Sequence, residues 1–99
     1  MEGPCTPRKY LAVLTHEISK YDRSQAARES KRGIVNIYRL GLLLEAAHKV
    51  GDDVQSVQDS PSPEALVSLR LALHKHFLRD FPPVKKVIKQ IDAGVCKIK

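Results

Sequence analysis

Apolar residues recur at helical spacing along this chain, and most segments that carry them open on proline and close on glycine. Pro7 follows Thr6, Pro63 follows Ser62, and Pro82-Pro83 follow Asp80-Phe81. Proline suits the first helical position, where its missing N–H would be unpaired anyway, and Ser or Thr just before it is a preferred N-cap. Gly33, Gly51 and Gly94 each follow a periodic segment, where a left-handed glycine commonly ends a helix. No convincing alternation of apolar and polar residues reads as a strand, and there is no internal repeat. The pattern predicts helices separated by short breaks.

Helix one starts at Pro7 with Thr6 as its cap. Leu11, Leu14, Ile18 and Tyr21 share a face, with Tyr10 beside them, and Lys9, His16, Lys20 and Arg23 lie opposite. After Tyr21 the stripe stops, so the helix either runs on into solvent or restarts at a capping box from Asp22 to Gln25. Helix two is placed at residues 34–50, where only Asn36, Arg39, Glu45, His48 and Lys49 are polar. A helix apolar nearly all round is packed on several sides, so helix two is expected to be the central and most buried element. Gly41 costs ~1 kcal/mol against Ala in mid-helix, which close approach of another helix would explain. Gly51 is expected to stop the helix, and residues 51–62 to be a linker.

Ser62-Pro63-Glu64 opens helix three, which runs to about Arg79. Leu66, Leu69, Leu73 and Phe77 form one stripe and Val67, Leu71 and Leu78 a second, so two neighbours are expected. Helix four spans residues 83–93, with Val84, Val87, Ile88 and Ile91 on one face and Lys85, Lys86 and Lys89 on the other. Gly94 ends it. The predicted fold is all-α: a small bundle of about four helices, helix two (residues 34–50) central, in a single domain over residues 1–99. Residues 1–5 and 95–99 are expected to be flexible tails.

Composition narrows the classes. With 42% hydrophobic and 28% charged residues, the 99-residue chain is too apolar for disorder throughout and has no collagen-like or low-complexity bias. A chain of this size buries only about 60–65% of its unfolded surface, so self-association is a plausible supplement. No apolar run approaches the ~20 residues of a membrane span, and residues 1–5 lack the apolar core of a signal peptide. Cys5 and Cys96 lie at opposite ends and make no metal or redox spacing. They would pair only if the ends meet. The default expectation is a cytoplasmic protein with free thiols.

Catalytic and metal chemistry find little footing. Glu45 and His48 at i, i+3 resemble half of a di-iron helix pair; a second copy, with Glu17, would have to complete the set. The plainer reading is a mutually hydrogen-bonded pair at the end of a buried helix. His74 and His76 cannot chelate one metal while helical, since i and i+2 point apart; His76 reads as a packed, hydrogen-bonded histidine and His74 as solvent-facing. Residues 25–40 have the flavour of a helix-turn-helix. However, Glu29 stands where a small residue is needed, and the second helix is too apolar for a groove. No nucleophile–base arrangement or phosphate loop can be assembled. The expectation is no enzyme activity, no metal and no cofactor.

The basic surface is the remaining candidate. Lys and Arg total 17 against 11 acids, giving a net charge of +6, which favours polyanionic partners. Residues 1–33 hold seven cations to four acids and residues 61–99 eight to three, whereas residues 34–60 hold two to four. Arg28, Lys31 and Arg32 stand at i, i+3, i+4; Lys85, Lys86 and Lys89, with Lys97 and Lys99 nearby, make a second cluster. Five or six such groups give useful sequence-independent affinity for phosphates, although neither cluster holds an aromatic for base stacking. The opposing reading is a solvated face of an amphipathic helix. A membrane-surface role for helix four is weaker still, because its apolar face lacks Trp and Phe. The functional expectation is a non-catalytic accessory protein that binds nucleic acid through its basic helix faces. The alternative is an interaction module or homodimer that buries the apolar surface of helix two or three.

Overall fold

The computed structural model describes residues 4–34 and 36–98. These form four α-helices: α1 (Pro7–Arg32), α2 (Arg39–Asp53), α3 (Pro63–His76) and α4 (Pro82–Ala93), with a 3₁₀ turn at Gln55–Val57. No strand occurs among the described residues. The all-α bundle of four helices is therefore the observed architecture. No helix is long and apolar enough to cross a membrane among the described residues.

Local chemistry sets the helix ends. Pro7, Pro63 and Pro82 each occupy a first turn, and the Ser62 hydroxyl accepts from the Ala65 N–H at 3.3 Å. α1 runs on without restarting and ends at Gly33, whose φ of +72° lets the N–H groups of Gly33 and Ile34 reach the carbonyls of Ser30 and Glu29. Gly94 closes α4 the same way.

Helix two begins five residues later than its apolar pattern implies, at Arg39 rather than residue 34. The left-handed turn at Gly33 redirects the chain. The Asn36 side chain then accepts from the Tyr38 N–H, a local bond that competes with helix. Val35 lies outside the described residues. At its other end α2 runs through Gly51 to Asp53, so Gly51 is helical and is not a left-handed stop. Among the described glycines Gly51 is the one with a close neighbour, Leu11 Cδ1, 3.6 Å from where a Cβ would stand, whereas nothing lies within 4 Å at Gly41. Close approach therefore does not explain Gly41. Helix three stops at His76, three residues early.

The centre of the bundle is α1, not helix two. α1 lies between α2 and α4, and α3 packs on α2. Tyr10, Val13, Leu14 and Ile18 of α1 meet Ala47, Val50 and Val54, Leu69 and Leu73 of α3, and Val84, Val87 and Ile91 of α4. Within α2 only Ala47 and Val50 are buried; Leu42 is 64% and Leu44 37% exposed. The second stripe of α3, Val67 and Leu71, also faces water, as does Leu78. An all-round apolar helix needs neighbours on every side; α2 has helices only on the sides of α1 and α3, and α3 rests mainly on α2.

The segments expected to be loose are held. Residues 51–62 contain the end of α2 and the 3₁₀ turn, and Val54 is fully buried. The Gln58 carbonyl accepts from the Arg8 N–H, and Asp59 pairs with the Arg8 guanidinium at 2.6 Å, so this connection satisfies a first-turn donor of α1. Cys5 and Cys96 form a disulfide, in place of the free thiols expected. Gln90 exchanges two hydrogen bonds with the Lys97 backbone, at 2.8 and 2.9 Å, which lays residues 95–98 back along α4. Of the expected tails, residues 1–3 and 99 lie outside the described residues.

Candidate nucleic-acid interface

α1 and α4 run antiparallel, because the bridge joins the start of one to the end of the other and Glu17 of α1 meets Lys86 of α4 at 3.2 Å. The first turn of α4 therefore lies beside the middle of α1. There Phe81 sets its ring edge-on to Tyr21, centroids 4.9 Å apart. Glu17, Lys20, Tyr21 and Ser24 line a cleft of about 240 Å³ with Pro82 and Lys86.

All six basic residues singled out from the sequence, Arg28, Lys31, Arg32, Lys85, Lys86 and Lys89, are exposed. Arg28 lies eleven residues beyond Glu17. At 100° and 1.5 Å per residue, that places it about 20° from Glu17 around α1 and about 16 Å farther along. The face of α1 that carries Glu17 beneath Lys86 thus continues past the start of α4 into Arg28, with Lys31 and Arg32 to either side of that line. Helix geometry places the Arg28 cluster on the α4-facing side of α1, beyond the first turn of α4, while Lys85 and Lys89 line a second cleft with Pro82 and Lys86.

Lys86 differs from its neighbours. Its ammonium is held by Glu17, whose side chain is buried, so its charge is largely compensated in the free protein. Lys20 lines the same cleft and forms no ion pair among the described residues. It is the cation that the sequence reading left out of the site, and its signal was its place three residues after Glu17 on one helix face. Among the described residues Arg28, Lys31, Arg32, Lys85 and Lys89 form no ion pair either. The acids nearest the end of α1 are engaged: Arg39 donates to Asp22 at 2.8 Å and also binds Glu29.

The histidine–carboxylate candidates do not assemble. Glu45 pairs with Lys49 and His48 with Asp52 along the exposed face of α2, so Glu45 and His48 neither bind each other nor meet Glu17. His76 is half-buried and bonds Asp53 at 2.7 Å, linking the end of α3 to the end of α2. The Asp53 carboxyl is held below its ordinary range, first by that hydrogen bond, which outweighs the opposing effect of desolvation, with Lys75 adding to the shift. Among the described residues no group of three or more His, Cys, Asp or Glu side chains gathers in metal-binding range. Comparisons with protein-family models, curated proteins and solved structures gave no match to this chain.

Proposed function

We propose that this protein is a non-catalytic binding module that holds nucleic acid, without sequence preference, along the cationic side of α1 and α4. What supports the reading is that Arg28, Lys31 and Arg32, by helix geometry, continue the side of α1 on which Lys20 and Lys86 share a cleft, with Lys85 and Lys89 lining the next cleft along α4. Duplex DNA presents one charge per ~1.7 Å of axis, so a row of cations reaching past 16 Å meets phosphates along its whole length. No base-reading element accompanies the row, and phosphate contacts position without specifying. The test is a shift assay on unrelated duplexes across a salt series. Similar affinities that fall steeply with salt support the reading, and no shift at low salt ends it.

A second reading has its own observation. Val67 and Leu71 stand one turn apart on α3, both more than half exposed, and a solvent-facing aliphatic stripe suits a protein partner or a second copy of the chain. Sedimentation velocity over a concentration series tests it, with Leu71→Ser expected to abolish any self-association.

The compartment belongs with these proposals. The cytoplasmic placement rested on free thiols, and disulfides persist mainly in oxidising settings. The bridge therefore favours an oxidising compartment, or a bridge formed after the protein reaches its site of action.

A further inference from the structure

Phosphate contacts leave one feature of the α1–α2 hairpin without a use. At its tip Ile34, Ile37, Tyr38 and Leu42 are exposed, Ile37 and Tyr38 each by 73%. They are neighbours. The Ile34 N–H is bonded to the Glu29 carbonyl, Ile34 and Ile37 line a cleft of about 300 Å³ with Ala26 and Ser30, and the Leu42 N–H reaches the Tyr38 carbonyl one turn back. Four large apolar side chains gathered on one end of a small protein exceed the scattered exposure that is ordinary for a soluble surface.

The same tip is cationic. Arg28, Lys31 and Arg32 occupy the last two turns of α1, immediately before the apolar segment. The acids of this region, Asp22 and Glu29, are both held by Arg39, which leaves the three cations unopposed. α1 is about 39 Å long at 1.5 Å per residue, against a longest dimension of 46 Å for the molecule, so α1 spans most of its length.

We propose that this tip docks on an anionic lipid bilayer: Ile34, Ile37, Tyr38 and Leu42 enter the headgroup layer while Arg28, Lys31 and Arg32 meet the lipid phosphates. Aliphatic groups with cations behind them and a tyrosine at the boundary are the chemistry of interfacial binding. A nucleic acid offers nothing for three aliphatic side chains. A second copy meeting tip to tip would set like cations against one another. The site shares its cations with the nucleic-acid reading but not its apolar residues, and the two are separable on that ground.

The chain contains no Trp, so Tyr38→Trp places a single reporter at the tip. With phosphatidylcholine vesicles containing phosphatidylserine, its emission is expected to shift to the blue and the protein to sediment with the vesicles; with phosphatidylcholine alone it should do neither. Ile37→Ser/Leu42→Ser, at exposed positions, should weaken vesicle binding at least about tenfold, the scale of two lost apolar burials, and leave duplex binding unchanged. Arg28→Glu/Arg32→Glu should weaken both. The proposal is overturned by absence of binding to anionic vesicles at low salt or by equal binding to neutral ones. It is also overturned by an apolar double variant that binds as the parent does, or by a blue shift with protein concentration alone, which would mean that a second copy covers the tip.

Discussion

Arg39, the first residue of α2, donates from Nε to a carboxylate oxygen of Asp22 on α1 across 2.8 Å, with less than a fifth of either side chain exposed. The same guanidinium reaches the Asp22 carbonyl and the Glu29 carboxylate. One fork thus fixes where α2 begins against α1 and removes two negative charges from the cationic end of the hairpin. Arg39→Met should lower stability by about 2–3 kcal/mol, because two partly buried carboxylates lose their donor. Arg39→Lys should recover only part, since an ammonium cannot span both. Urea denaturation measures this, and a loss under about 0.5 kcal/mol would make the clasp idle.

Core energetics should follow α1. Leu14 is fully buried, and Leu14→Ala should cost about 2–5 kcal/mol through lost transfer energy and a cavity. Leu44 is 37% exposed, and Leu44→Ala should cost about 1 kcal/mol, near the ordinary mutational mean. The reverse order in denaturant midpoints would restore helix two to the centre.

The bridge closes nearly the whole chain, with a sequence separation of 91. The chain-entropy relation gives an upper figure of about 4–5 kcal/mol for a loop of that length. Reduction, or Cys5→Ser/Cys96→Ser, should therefore lower Tm by tens of degrees while helix content at room temperature persists. An unchanged Tm would show that the ends contribute nothing to the folded state.

Asp53 sets a pH dependence. Its folded pKa is depressed, first by the hydrogen bond to His76 and then by Lys75, so the unfolded chain holds that proton more tightly. Stability from this contact is fully present above the ordinary carboxylate pKa of about 4 and is lost as pH falls through the lower folded value. Asp59 acts in the same direction through Arg8. Urea midpoints from pH 7 down to about 3 should fall less steeply in Asp53→Asn than in the parent chain; parallel profiles would contradict the assignment.

Helix starts were legible because Pro7, Ser62-Pro63 and Pro82 act within one turn, and Gly33 and Gly94 bear their own left-handed geometry. Burial was less legible. Periodicity says that a face is apolar, not that a neighbour exists to cover it, so Leu42, Val67 and Leu71 read as core and stand in water. The delayed start of α2 came from an Asn36 side-chain bond that no hydrophobic pattern encodes. The Cys5–Cys96 bridge depends on α1 and α4 being antiparallel, a tertiary fact. Each basic cluster was visible at helical spacing, whereas their relative placement, the cleft that Lys20 shares with Lys86 and the compensation of Lys86 by Glu17 all depend on how α4 lies on α1.

The most direct test of the cationic side is the salt dependence of duplex binding, read by fluorescence anisotropy of a labelled DNA. About six phosphate contacts, from Lys20, Arg28, Lys31, Arg32, Lys85 and Lys89, predict a log–log slope near −5. Arg28→Glu/Arg32→Glu should reduce its magnitude by about 2 and weaken all sequences alike. A slope unchanged by that substitution, or no binding at low salt, would contradict the assignment and leave the positive charge as a solubilising surface.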